Sequence, residues 1–273
     1  MIPQSVLTYW RVNQAPWTGD DQVEQDLVIS RALVELYSDK LISESLAFRG
    51  GTALNKLFLP TASRYSEDID LVQVRAEAIG PVMGRIRSTL RWLGKPQYKQ
   101  SKERVTFYYS YIAEAPLEKQ MRLKLEINTA EPFTVYGYES RILEVKSDWF
   151  TGAADIRTFT LNELLSTKLR ALYQRKKGRD LFDPWLCKTL MNVDQSKVVH
   201  GFIQYMARRG LKVSRAEFEQ NLLKKFDDAA FREDIVPLLR DGIEYNFDAA
   251  ASFILNEVVS MLPGSPWKRV QDG

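Results

Sequence analysis

Apolar residues along this chain recur first at helical spacing, then at strand spacing, then at helical spacing again. From Asp20 to Ser45, Val23, Leu27, Ile29, Leu33, Leu36 and Tyr37 follow acids in a first turn, which predicts a helix. "LAFRGGT" is short and apolar before paired glycines, and "ALNKLFL" returns to helical spacing, so the order is strand, tight turn, helix. "DIDLVQV" alternates as a β-branched strand, Glu77 to Leu93 reads as a helix stopped by Gly94 and Pro96, and "RVTFYYSYIA" and "MRLKLEINTA" read as strands. "FTVYGYESRILEV" reads as strand and turn. Beyond Thr160 the spacing is helical to Leu262, punctuated by Pro184, Gly210, Pro237 and Pro263. The expected organisation is an α/β half (1–160) followed by a helical half (161–273). The join has no Gly/Ser-rich linker, so the halves are expected to share an interface. The tail "PGSPWKRVQDG" is expected to fray.

Composition narrows the function classes. Of 273 residues, 45% are hydrophobic, enough for a substantial core. With 38 Lys and Arg against 35 Asp and Glu, the net charge of +3 is too small to mark a nucleic-acid partner, so local clusters must carry that argument. A single cysteine, Cys187, excludes an internal disulfide, and no leader-like segment opens the chain. No apolar run approaches the roughly 18 residues that span a bilayer. A reducing, cytoplasmic compartment without membrane partners is expected. The lone His200 removes most zinc chemistry and every nucleophile scheme that needs a second histidine, and it reads as an ordinary packing or surface residue.

The chemistry concentrates between Phe48 and Val72. Side chains alternate along a strand, so Asp68 and Asp70 share one face. Two carboxylates at close range stay ionised only beside positive charge. In "RLKLEIN", Lys124, Glu126 and Asn128 form one face, which makes Glu126 a candidate third acid from a neighbouring strand. Three such oxygen donors suit Mg²⁺, or Mn²⁺ in its place, and the chemistry of phosphoryl or nucleotidyl transfer. Alone, a D-x-D is more often an exposed edge or an Asx-turn. Gly50, Gly51 and Thr52 raise the metal reading, because a glycine turn entering a helix presents backbone N–H groups to phosphate. The stretch is not a P-loop, since Asn55 and not glycine precedes Lys56. Further on, Lys168 and Arg175 fall on the apolar stripe with Leu164, Leu165 and Leu172, where a cation must snorkel to solvent or meet an anion. Asp180 is a candidate helix cap.

"RGGTALNK" followed by "RYSEDIDL" resembles the nucleotidyltransferase pattern of the AbiEii toxin family, the MenT-like toxins of type IV toxin-antitoxin pairs. The family pattern is a Gly-Gly/Ser-Thr/Ser turn, Ser-x-Asp-(apolar)-Asp, a helix bearing Lys, and Arg-Asp-x-x-Asp. It matches Gly51 and Thr52, then Ser66, Asp68 and Asp70, then Lys168, then Arg179 and Asp180 with Asp183. The similarity covers about Phe48 to Pro184. It implies an α+β (α/β) fold, a mixed sheet flanked by helices, followed by a C-terminal helical bundle that completes the site. It implies a phage-defence toxin that moves nucleotides from an NTP to the 3′ end of tRNA, opposed by a cognate antitoxin. Asp68 and Asp70 would then hold the metal, with Glu126 as third ligand or base. Gly50, Gly51, Thr52, Arg64, Ser66, Lys168, Arg175 and Asp180 would surround the nucleotide, and Asp183 would orient the lysine or the acceptor hydroxyl. Arg49 flanks the turn. "RIRSTLRWLGKPQYKQSK" carries Arg85, Arg87, Arg91, Lys95, Lys99 and Lys102 with Trp92 and Tyr98 and no acid, a composition suited to single-stranded RNA or to a solvated face. Nucleotidylation of a protein hydroxyl and an NTP-binding module without turnover are the alternatives.

Overall fold

The computed structural model describes residues 2–113 and 119–268, so Gln271 and its neighbours in the expected frayed tail, 269–273, lie outside the described residues. The chain divides into two units, 1–160 with 240–242, and 161–239 with 243–273.

The first unit is built on one mixed sheet. Its helices are α1 (Gln4–Asn13), α2 (Asp20–Ser38), α3 (Lys40–Ser45), α4 (Gly50–Leu57) and α5 (Gly80–Thr89). Its strands are β1 (Leu46–Arg49), β2 (Asp68–Gln73), β3 (Gln97–Gln100), β4 (Arg104–Ala113), β5 (Lys119–Asn128), β6 (Tyr138–Lys146) and β7 (Thr151–Phe159), in the spatial order β3-β4-β5-β2-β1-β7-β6. β2 pairs with β5 in parallel and with β1 antiparallel, so the D-x-D strand is central. One face of the sheet is core: Ile69 and Leu71, Val105, Phe107 and Tyr109, and Leu123, Leu125 and Ile127 are all buried. α2 supplies Val23, Leu27, Leu33 and Leu36 and packs against β5, β6 and β7.

Several elements differ from the sequence reading for identifiable reasons. The helix expected over 20–45 breaks at Asp39, whose backbone is extended and whose side-chain carboxylate accepts the Ile42 N–H at 3.1 Å, so capping chemistry outweighs continued periodicity. The helix expected from Glu77 starts at Gly80, with Pro81 in its first turn. β3 and β7 were not expected, since "QYKQ" has no apolar alternation and "TGAADIRTF" opens with weak strand formers. Pairing with β4 in one case, and with β1 and β6 in the other, supplies what propensity lacks.

The second unit is helical: α6 (Leu161–Gln174), α7 (Arg179–Leu190), α8 (Gln195–Arg208), α9 (Arg215–Phe226), α10 (Ala229–Glu233) and α11 (Phe247–Phe253). Phe202, Phe218 and Tyr173 meet in edge and tilted contacts at its centre. Pro184 does not punctuate a helix as expected but sits inside α7. The hydrogen bond it forfeits is one, whereas Leu181, Phe182, Leu186 and Cys187 bury a continuous stripe. The described part of the tail is tied down, with Pro263 O accepting from Arg215 N at 2.9 Å and Glu219 accepting from Trp267 N at 2.7 Å.

Candidate active site

In the first unit, β1 delivers the chain directly into α4, and β2 runs beside β1 with Asp70 opposite Arg49. Gly50 adopts φ +82°, and a Cβ there would lie 2.4 Å from Asp70 Oδ2. A Cβ on Gly51 would lie 2.3 Å from Arg64 Nη2. The two glycines therefore admit a carboxylate on one side and a guanidinium on the other, a reason for glycine that turn propensity alone does not supply. Thr52 ties the two motifs together: its Oγ1 donates to Asp68 O at 2.6 Å and lies 2.7 Å from Ser66 Oγ. Since the threonine proton goes to the carbonyl, Ser66 is the donor in the second contact. Arg64 is buried and donates through Nη1 to Tyr65 O at 3.1 Å. Thr52, Arg64 and Ser66 also line a cavity of 360 Å³ shared with Trp17, Asn55 and Lys56. Lys56 is engaged elsewhere, donating to Asp26 at 2.6 Å and Ser30 at 2.9 Å.

The parallel register of β2 and β5 places Asp70 opposite Glu126 and Asp68 opposite Lys124. All four side chains share the face away from the core. The cation that the D-x-D pair requires is thus supplied in part by the protein: Lys124 Nζ stands 3.4 Å from Asp68 Oδ2 and 3.4 Å from Glu126 Oε2. Burial pushes the Asp68 and Asp70 carboxyls above the ordinary carboxylate range. Lys124 opposes this at Asp68 and Arg49 opposes it at Asp70. Burial lowers the Lys124 ammonium, but Asp68, Glu126 and Asp70 outweigh it and raise the group overall. Lys124 escaped the sequence reading as a site residue, although its position two before Glu126 on a strand was the available signal.

Among the described residues, no three His, Cys, Asp or Glu side chains form a group that would hold a metal ion. Glu126 faces Lys124 and, at 3.9 Å, Arg104. Asp68 and Asp70 by themselves fit a divalent ion that takes one or two carboxylates and completes its shell with water and phosphate oxygens. Both are partly desolvated, the Asp68 charge raises Asp70 further, and a dication would relieve that cost.

The remaining expected residues lie in the second unit. Lys168 is buried on α6 and meets Asp183 Oδ2 at 2.9 Å and Asp180 Oδ1 at 3.4 Å. Arg175 clamps Asp180 with two bonds, 2.6 and 2.9 Å long. The stripe cation therefore meets anions instead of snorkelling. Asp180 does not cap α7, as expected; it stands in the first turn behind Gly178, and its carboxylate is engaged by Arg175 and Lys168. Gly178 is the residue that precedes α7, and a Cβ there would strike Phe231 O at 2.2 Å, so the position requires glycine.

The basic run does not form one surface. Arg85 pairs with Asp39 at 3.2 Å, and Trp92 donates to Glu35 beneath Arg31, whose guanidinium lies 4.0 Å from the indole centroid. Tyr98 pairs with Phe107 on the core-side face, and Lys99 pairs with Thr106 on the carboxylate face. His200 is exposed beside Gln204, as an ordinary surface residue would be. No helix among the described residues is long and apolar enough to cross a membrane.

The fold is similar to that of MenT4, a nucleotidyltransferase toxin from Mycobacterium tuberculosis H37Rv, with a TM-score of 0.67 and 15% identity over 96% of this chain and 91% of that one. It is also similar to JHP933 from Helicobacter pylori, with a TM-score of 0.50 and 16% identity over 88% of this chain and 94% of that one. No curated protein matches. The family described as "Nucleotidyl transferase AbiEii toxin, Type IV TA system" matches residues 31–252, a span that includes the glycine turn, the carboxylate strand and the Lys168 helix. The chain belongs to the AbiEii family of nucleotidyltransferase toxins from type IV toxin-antitoxin systems.

Proposed function

We propose that this toxin uses an NTP and a divalent metal to add nucleotides to the 3′ end of tRNA, and that a cognate antitoxin restrains it. The observation that carries this reading is the packing of Gly50 against Asp70 and Gly51 against Arg64, which sets a phosphate-type turn directly against a carboxylate pair. The N–H groups at the start of α4 and the Arg64 guanidinium suit the β- and γ-phosphates, and the adjoining cavity gives room beside them. Mg²⁺ or Mn²⁺ held by Asp68 and Asp70 would stabilise charge on the α-phosphate and on the entering and leaving oxygens.

In the reaction, the acceptor 3′-oxygen forms a bond to the α-phosphorus, the bond to the bridging oxygen of the β-phosphate breaks, and pyrophosphate leaves. The hydroxyl proton passes to a carboxylate, for which Glu126, opposite Asp70, is the candidate. Lys124 holds Asp68 and Glu126 in place and limits their repulsion before substrate binds. In the second unit, Lys168, paired with Asp183 at 2.9 Å, is the candidate phosphate-binding cation.

The test is incubation with labelled NTPs, Mg²⁺, total tRNA and a protein extract. Label on tRNA supports the reading. Label on a polypeptide replaces the acceptor with a protein hydroxyl, and absence of label leaves an NTP-binding module without turnover.

A further inference from the structure

Cross-strand register extends the carboxylate face well past the acids. Asp68 is followed across the sheet by Lys124, Tyr108 and Gln97, and Asp70 by Glu126, Thr106 and Lys99. Directly paired residues project on the same side of a sheet, so these rows form one surface. Its outer part, on β3, β4 and the start of β5, carries Lys99, Arg104, Tyr108 and Arg122 and no acid within the strands. Lys99, Arg104 and Arg122 are exposed, and the Arg122 guanidinium lies 4.8 Å from the Tyr108 ring centroid. Ile112, on the same face, is 60% exposed. Tyr108 stands two strand spacings, roughly 10 Å, from Asp68.

We infer that this open face of β3–β5, centred on Tyr108 and Arg122, is the platform for the single-stranded 3′ end of the acceptor nucleic acid. The inference rests on the functional reading above and deepens it. A strand whose terminal hydroxyl sits at the carboxylates crosses Tyr108, whose ring offers a stacking surface to a base of any identity. Arg122, Lys99 and Arg104 neutralise the phosphates behind it. Lys99 and Arg122 lie beyond the acids and Arg104 borders them, 3.9 Å from Glu126, so the strand is attracted along its length while only its end meets the negative cluster. From the basic run of 85–102, strand register places Lys99 on this face, whereas Arg85 and Trp92 are engaged by Asp39 and Glu35.

Tyr108→Leu and Arg122→Gln test the platform in steady-state transfer to a single-stranded oligoribonucleotide with a free 3′-hydroxyl. Each is expected to raise KM for the oligonucleotide about ten-fold and to leave KM for NTP unchanged. Arg122→Gln should also reduce the slope of log affinity against log salt by about 1, measured by anisotropy of a labelled oligonucleotide without NTP. Circular dichroism monitors folding, and Arg122→Gln decides alone if Tyr108→Leu does not fold. Unchanged oligonucleotide KM in variants of a protein that does extend RNA overturns the platform and spares the transferase reading. If the wild-type protein neither binds nor extends RNA and labels a polypeptide instead, both are overturned.

Discussion

Gly50 lies against Asp70 so closely that a Cβ on the glycine would sit 2.4 Å from Oδ2 of the carboxylate. The glycine also holds φ +82°, a left-handed conformation unfavourable for L side chains. Gly50→Ala therefore costs stability twice, through backbone strain of about 1 kcal/mol or more and through displacement of Asp70. Thermal unfolding should show a marked fall in Tm, and transfer should be lost. Gly51→Ala should unfold at a higher temperature than Gly50→Ala, since its φ is ordinary and the atom displaced is the tip of Arg64.

Asp70→Asn should abolish transfer and leave the fold intact. Without divalent ions it should also match or exceed the wild-type Tm at pH 7. Burial raises the Asp70 carboxyl, so the folded protein holds this proton to higher pH than the unfolded chain does. The associated stability is present below the unfolded value near 3.9 and is lost as pH rises through the folded one. The variant's advantage should therefore grow with pH across the acid range and vanish below about pH 4. A lower Tm for the variant at neutral pH in EDTA would contradict the assignment.

Divalent binding is separable from turnover. Saturating Mg²⁺ should raise the wild-type Tm, because an ion that binds only the folded state stabilises it by mass action. Asp68→Asn and Asp70→Asn should each lose that response. Retention of the full shift in both variants would move the ion elsewhere.

Lys168→Met should be destabilising as well as inactive. It removes the ammonium 2.9 Å from Asp183, a carboxylate that is 2% exposed. Stripping one partner from such a buried pair costs about 3 to 5 kcal/mol. Adding Asp183→Asn should recover much of that loss in denaturant titration without restoring transfer, which separates the structural from the catalytic contribution of the lysine.

The pieces of the site that depend on local pattern were readable in advance. Alternation alone put Asp68 and Asp70 on one face, and helical spacing alone put Lys168 on an apolar stripe where it had either to snorkel or to meet an anion. The strands that flank them were harder. β3 has no apolar alternation and β7 begins with Thr-Gly-Ala-Ala-Asp, so neither carries a local signal; each is a strand because a neighbour offers it a ladder of hydrogen bonds. Asp180 illustrates the same limit, since an acid after a glycine has the composition of a cap and is here the partner of Arg175.

Sequence by itself determined the residue types and the one-dimensional periods: a glycine pair before a helix, two acids on one strand face, a lysine inside an apolar stripe. Only tertiary structure decided which groups meet. Strand order and register belong to the whole sheet, and they brought Lys124 between Asp68 and Glu126, set Arg49 beside Asp70 and laid Tyr108 and Arg122 along the same face. The physical reason is that periodicity depends on bonds within one segment, whereas the charge balance of a site depends on which segments pair, and pairing is settled by burial of the opposite, apolar face.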